Sequence, residues 1–124
     1  MKTGVVILFH GSRVKGSDDV AHRIISDIRR HGVYSIIEPA FLQHKEPGLM
    51  TSIQKCVQHH VERIVIVPFF LQLGMHVTAD IPVLVEAARK HYPGLTIDVT
   101  DAVGSHPLMT EIVIDLVGKS AQYP

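Results

Sequence analysis

"RIVIVPFFLQLGMHVTADIP", residues 63–82, decides the fold. A β-branched run ends in two phenylalanines and a glycine, and a helical pattern begins soon after. Arg63–Phe70 reads as the third and most apolar strand of the chain. Thr78–His91 reads as the next helix, with Asp80 expected as its cap and Pro82 in its first turn. A lone histidine, His76, falls at the junction. Near the start of the chain "VVILFHGSR", residues 5–13, repeats the arrangement. Val5–Phe9 is a continuous apolar run and His10 follows it at once.

The rest of the chain alternates in the same way. Ser17–His31 carries Val20, Ile24, Ile25 and Ile28 at helical spacing, with Ser17 or Asp18 to start it and Gly32 to stop it. Ser35–Phe41 is a further strand, which Pro39 is expected to shorten. Pro47–His59 is a helix through Leu49, Ile53 and Val57. "YPG", residues 92–94, breaks the helix before it. Leu95–Thr100 alternates and reads as an edge strand, and Pro107–Val117 is the last helix. Such βα alternation implies an α/β fold: a four-stranded parallel sheet with helices on both faces, joined by right-handed crossovers. Residues 1–124 are expected to form a single domain.

Composition narrows the function classes. Twelve basic and twelve acidic residues balance, which argues against a nucleic-acid or membrane-surface protein. No apolar run reaches the roughly 18 residues of a membrane span. The N-terminal apolar run is read as a buried first strand rather than a signal peptide. Cys56 is the one cysteine, so neither an intrachain disulfide nor a thiolate metal cluster can form, and a reducing, cytoplasmic setting is expected.

Nine histidines are the unusual feature. In open parallel sheets, ligands bind beyond the carboxyl ends of the strands. That rule sets His10, His44, His76 and His106 on one rim. His22 lies inside a helix, and His31, His59, His60 and His91 lie near helix ends, where surface or capping roles are expected. His44 sits among polar neighbours as a loop residue. For His106, a helix-start role and a site role are both open. His10 and His76 each stand beside apolar residues and a glycine, walls that would hold an imidazole neutral and ready to take a proton or a metal. No H-x-x-x-H or H-E-x-x-H pair occurs, so an open site with few protein ligands is expected, not a closed zinc site. The Gly11-Ser12-Arg13 turn lacks both nucleotide-loop patterns. Arg13 is left with two readings, pairing with a carboxylate over the rim or solvating its loop.

"LFHGSR" at 8–13, "AFLQHKEP" at 40–47, "VPFFLQLGMHVTADIP" at 67–82 and "GSHP" at 104–107 together resemble the small class II chelatases of tetrapyrrole biosynthesis, the CbiX-type sirohydrochlorin chelatases. The resemblance runs nearly the whole chain. It implies a chelatase-like, flavodoxin-like half-unit that inserts Co²⁺, Fe²⁺ or Ni²⁺ into sirohydrochlorin or a close relative. The metal is then a substrate, with no permanent cofactor. It further implies that His10 and His76 handle the metal and accept protons. Larger relatives hold two such halves, so a chain of this length implies a homodimer. At Gln43 the family often has a glutamate with a supporting role; Gln43 can hydrogen-bond but carries no charge.

The chemistry suits those residues. Two pyrrole protons must leave while the metal sheds water, and neutral imidazole serves both needs, with a free pKa of about 6.5. It is also a borderline ligand, so it can let the ion go. Phe69, Phe70, Leu71, Leu73 and Met75 either line the flat faces of the macrocycle or pack in the sheet core. Ser12, Arg13, Gln43 and Gly74 complete the expected substrate contacts, with Arg13 and helix-start N–H groups facing the carboxylates of sirohydrochlorin. Two rivals use the same pattern. One is a metal or tetrapyrrole carrier without turnover. The other is a flavodoxin-like or receiver domain, for which "LFHGSR" lacks the acidic cluster and the phosphate loop.

Overall fold

Strand β1 (Thr3–Phe9) is the hub of the sheet. It pairs in parallel with β2 (Ile37–Phe41) on one side and with β3 (Arg63–Pro68) on the other. The fourth strand, β4 (Thr96–Val99), adds in parallel to β3, giving the order β2-β1-β3-β4. This computed structural model describes residues 2–120, and at His76 the backbone only.

Alternation along the central strands sends side chains to both faces. Val6, Leu8, Ile64 and Ile66 meet Ile53 and Cys56 of α2 (Leu49–Val57), together with Ile81, Val85 and Ala88 of α3 (Met75–His91). Val5, Ile7, Phe9, Ile37 and Phe41 meet Ala21 and Ile25 of α1 (Asp19–His31) on the opposite face. Gly32 ends α1 in the left-handed conformation, as its position suggests. In the last turns of α1 and α3, Arg29 and Arg89 donate to the carbonyls of Ile37 and Ile97, at 2.7 Å and 2.6 Å. Each helix end is thereby tied to the strand that follows it. A 3₁₀ turn (Val103–Ser105) precedes α4 (Leu108–Lys119). Among the described residues no helix is long and apolar enough to cross a membrane.

Pro39 does not shorten its strand. Val5 N–H donates to the Ile36 carbonyl and Leu42 N–H to the Phe9 carbonyl, so even-numbered residues face β1 and Pro39 turns its missing N–H outward. Its carbonyl accepts from the Ser52 hydroxyl at 2.5 Å. The start of α3 differs from expectation. The helix begins at Met75, with extended Gly74 as its cap, rather than at Thr78. Gly74's carbonyl accepts both the Thr78 N–H and the Thr78 hydroxyl, at 2.9 Å each. Asp80 is therefore not a cap, and Pro82 lies inside the helix.

Candidate active site

The carboxyl end of β1 is zipped on both sides. Leu42 N–H donates to the Phe9 carbonyl and Gln43 N–H to the His10 carbonyl, while Phe69 N–H donates to the Leu8 carbonyl. His10 thus stands where β1 parts from β2 and β3, the point at which the strand order reverses. Gly11 has φ +91° and runs against Gln43 so closely that any Cβ would meet its backbone oxygen at 1.9 Å. A side chain is excluded there on both counts.

His10 Nδ1 lies 3.1 Å from the Gly11 carbonyl oxygen. A carbonyl only accepts, so the tautomer that satisfies this contact carries its proton on Nδ1 and leaves Nε2 as the lone-pair nitrogen. The Gln43 amide nitrogen sits 3.2 Å from Nδ1 and 3.5 Å from Nε2. Phe70 presents itself edgewise to the imidazole, with centroids 6.1 Å apart. The ring is nevertheless exposed. The apolar enclosure expected from its neighbours is absent, because Phe9 and Phe69 pack against each other in the α1-side core rather than around it.

Two clefts flank His10. One, of ≈350 Å³, is lined by His10, Leu42, Gln43 and the α3 residues Val77, Asp80 and Leu84. The other, of ≈430 Å³, runs toward α1 past Ser12, Asp18 and Lys45. Position 76 lies in the first turn of α3, beside Val77 of the first cleft and four residues before Asp80, so 76 and 80 share a helix face. The His76 side chain lies outside the described residues. Asp80 brings a carboxylate to the cleft, and the sequence reading passed it over as a helix cap. Its spacing from His76 was the available signal, once the helix is started three residues earlier.

The other expected contacts divide. The Ser12 hydroxyl accepts the Val14 N–H at 3.1 Å, so it shapes its own loop while lining the second cleft. Arg13 Nε donates to His44 Nδ1 at 3.0 Å, which makes an imidazole and not a carboxylate its partner here. Leu71 and Met75 are exposed at 74% and 90%, so both stand out on the rim rather than in the core. His106 Nδ1 accepts the Leu108 N–H at the start of α4, the helix-start role. It also lines a third cleft, away from His10. Asp18, paired with Lys45 at 3.9 Å, has its carboxyl held below the usual range by backbone hydrogen bonding first, with His22 and Lys45 adding to it. Among the described residues, no three His, Cys, Asp or Glu side chains converge to hold a metal ion.

Comparison with known proteins places this geometry in a family. The CbiX family model matches residues 4–120. The chain is 33% identical to the chloroplastic sirohydrochlorin ferrochelatase of Arabidopsis thaliana over 92% of its length, and spans 51% of that relative. It is 29% identical to the sirohydrochlorin cobaltochelatase of Methanopyrus kandleri, covering 91% of this chain and 93% of that one. Among solved structures, the sirohydrochlorin chelatase SirB of Bacillus subtilis subspecies spizizenii in complex with cobalt superposes with a TM-score of 0.85 at 27% identity. That match covers 96% of this chain and 51% of SirB. The chain therefore spans about half the length of two of these relatives. Matched by the family model over nearly all its residues, this chain belongs to the CbiX family.

Proposed function

We propose that residues 1–124 form one chelatase-like domain that inserts a divalent metal ion into sirohydrochlorin or a close relative. Co²⁺ is placed first, with Fe²⁺ and Ni²⁺ as alternatives. The observation that carries this reading is His10: an accessible imidazole pinned at the switch point, its Nδ1 against the Gly11 carbonyl and its Nε2 facing the Gln43 amide at 3.5 Å, a long contact that an incoming ion would displace. The names of relatives as cobaltochelatase and ferrochelatase support the reaction class.

His10 Nε2 and His76 hold the incoming ion loosely above the macrocycle. As the ion enters, two pyrrole N–H bonds break, the ring nitrogens bind the metal, and the two imidazoles take the protons. Imidazole suits this exchange because it binds borderline ions and releases them. Asp80 supplies the charge that Gln43 lacks, drawing the cation into the His10 cleft. The exposed Leu71, Leu73 and Met75, beside half-buried Phe70, give the flat ring an apolar seat, with Gly74 at the start of α3, while Ser12, Arg13 and Lys45 face its carboxylates. Two copies of the chain make up the working unit, as a homodimer in the cytoplasm.

The test mixes purified protein, sirohydrochlorin and Co²⁺ and follows the absorbance change. Many turnovers per protein are expected, falling at least a hundredfold in His10→Ala and His76→Ala, the lower range for a lost proton acceptor, about 10². A single stoichiometric change would instead identify a carrier. Near wild-type rates in both variants would sink the assignment of the two histidines.

A further inference from the structure

Three consecutive side chains of the loop after β2 reach across to the segment between β1 and α1. The Gln43 amide stands over His10, His44 accepts from Arg13, and Lys45 faces Asp18. In an extended segment, neighbouring side chains point to opposite faces. That alternation is broken at His44, whose φ of +66° puts a non-glycine residue in the left-handed region. Gln43 lines the α3-side cleft beside His10 and Lys45 lines the α1-side cleft, with His44 between them in the chain.

The Arg13–His44 pair differs in charge from the other arginine contacts. Arg30, Arg63 and Arg89 each sit on a carboxylate. Arg13 instead donates its Nε–H to Nδ1 of His44 at 3.0 Å. That bond needs a lone pair on Nδ1, so the ring that makes it carries its single proton on Nε2 and is neutral. The guanidinium therefore keeps its whole positive charge. Its two terminal nitrogens, which grip a carboxylate in two parallel bonds, take no part in the contact. Both side chains are exposed, so no core packing holds the arginine in place. Without an anchor, a long exposed side chain must be ordered when it binds, and that ordering weakens binding.

We propose that His44 is a positioning residue for carboxylate recognition: it fixes Arg13 so that the free edge of the guanidinium meets a peripheral carboxylate of the tetrapyrrole. The identity of the ligand rests on the chelatase reading above. Arg13 follows His10 by three residues, and Gln43 N–H on the His10 carbonyl ties the two loops together at that point. The guanidinium is thus a fixed charge near the metal-handling imidazole. A macrocycle with carboxylates around its edge is oriented by it as well as attracted. His44 touches neither the ring nor the ion and acts through Arg13.

The test uses the full chain and three substitutions. His44→Gly suits the left-handed backbone and removes the acceptor. His44→Asn tolerates the same backbone and places its side-chain oxygen near the position of Nδ1. Arg13→Ala removes the donor. Binding of metal-free sirohydrochlorin is followed by absorbance, and Co²⁺ insertion by turnover. His44→Gly is expected to weaken sirohydrochlorin binding about tenfold, the lower end of what a hydrogen bond to a charged group is worth. KM for the ring should rise by the same factor while kcat moves little. His44→Asn should restore most of the binding, and His44→Gly added to Arg13→Ala should cost nothing further. Wild-type binding in His44→Gly, equal losses in His44→Gly and His44→Asn, or a full further loss in the double variant overturns the proposal. A wild type that binds the ring through His44 but never turns over removes the chelatase reading and keeps this inference; insertion indifferent to His44 does the opposite.

Discussion

A methyl group added to Gly11 would lie 1.9 Å from the backbone oxygen of Gln43, far inside contact distance. That closeness is what lets Gln43 N–H reach the His10 carbonyl and the Gln43 amide stand over the imidazole. The φ of +91° at Gly11 adds a second obstacle to any side chain. Gly11→Ala is therefore expected to cost at least about 1–2 kcal/mol from left-handed strain alone. The β1 and β2 loops must also part, so insertion activity should fall more than stability does. Parallel thermal melts and turnover assays check this; a variant with normal activity would show that the His10–Gln43 geometry is unimportant.

Gln43→Glu would put a carboxylate against the imidazole of His10, where the amide nitrogen now sits at 3.2 Å. A neighbouring negative charge favours imidazolium. The proposed mechanism uses neutral imidazole, so on that mechanism the acid limb of the rate profile should move to higher pH. The same charge should tighten Co²⁺ binding by about tenfold, the lower end of what a partner of a metal ligand is worth. Calorimetric titration with Co²⁺ and a pH–rate series separate the two effects. An unchanged profile together with unchanged affinity would place residue 43 outside the reacting region.

The central framework was readable from the sequence because β1 and β3 are continuous β-branched runs, a pattern that buried parallel strands impose. The rim was readable only in part. His10 follows its strand as expected, yet its exposure depends on where Phe9 and Phe69 turn, and ring packing between distant loops leaves no local pattern. The start of α3 was misread because Gly74 caps it through backbone geometry and a Thr78 hydroxyl, while Asp80 and Pro82 imitate the usual start signals. That shift moved His76 from a loop into a helical turn and hid Asp80's place in the cleft. Helix α4 shows the other limit: its apolar spacing calls for a partner surface without saying which one.

Asp80→Asn is expected to slow metal capture. Asp80 lines the cleft with His10 and Gln43, and the amide variant keeps its size while losing its charge. Focusing of a cation by one carboxylate in a cleft is worth about tenfold in on-rate. The apparent KM for Co²⁺ should rise by about that factor, most clearly at low salt, while the rate at saturating metal changes less. Glu46→Gln is the control, because Glu46 lies outside this cleft and accepts the Gly48 N–H at 3.1 Å. Equal effects in both variants would point to general surface charge rather than to Asp80.

Cys56 gives a stability prediction with a definite sign. Its side chain is fully buried between α2 and the sheet, and burial first, then the charge of Glu38, pushes its thiol up from 9.0 to about 12. The folded state therefore keeps a proton that the unfolded state loses once the pH passes 9. Below that value both states hold it and the contribution is fully present; above it stability declines until the folded thiol itself ionises. The slope should approach roughly 1 kcal/mol per pH unit between 9 and 12. Melts at rising pH should fall more steeply for wild type than for Cys56→Ala, which starts lower because it leaves a cavity. Tyrosines and lysines titrate alike in both chains and cancel in the difference. Matching slopes, or rapid labelling of folded wild type by a thiol reagent at pH 8, would mean that the thiol is not sealed beneath α2.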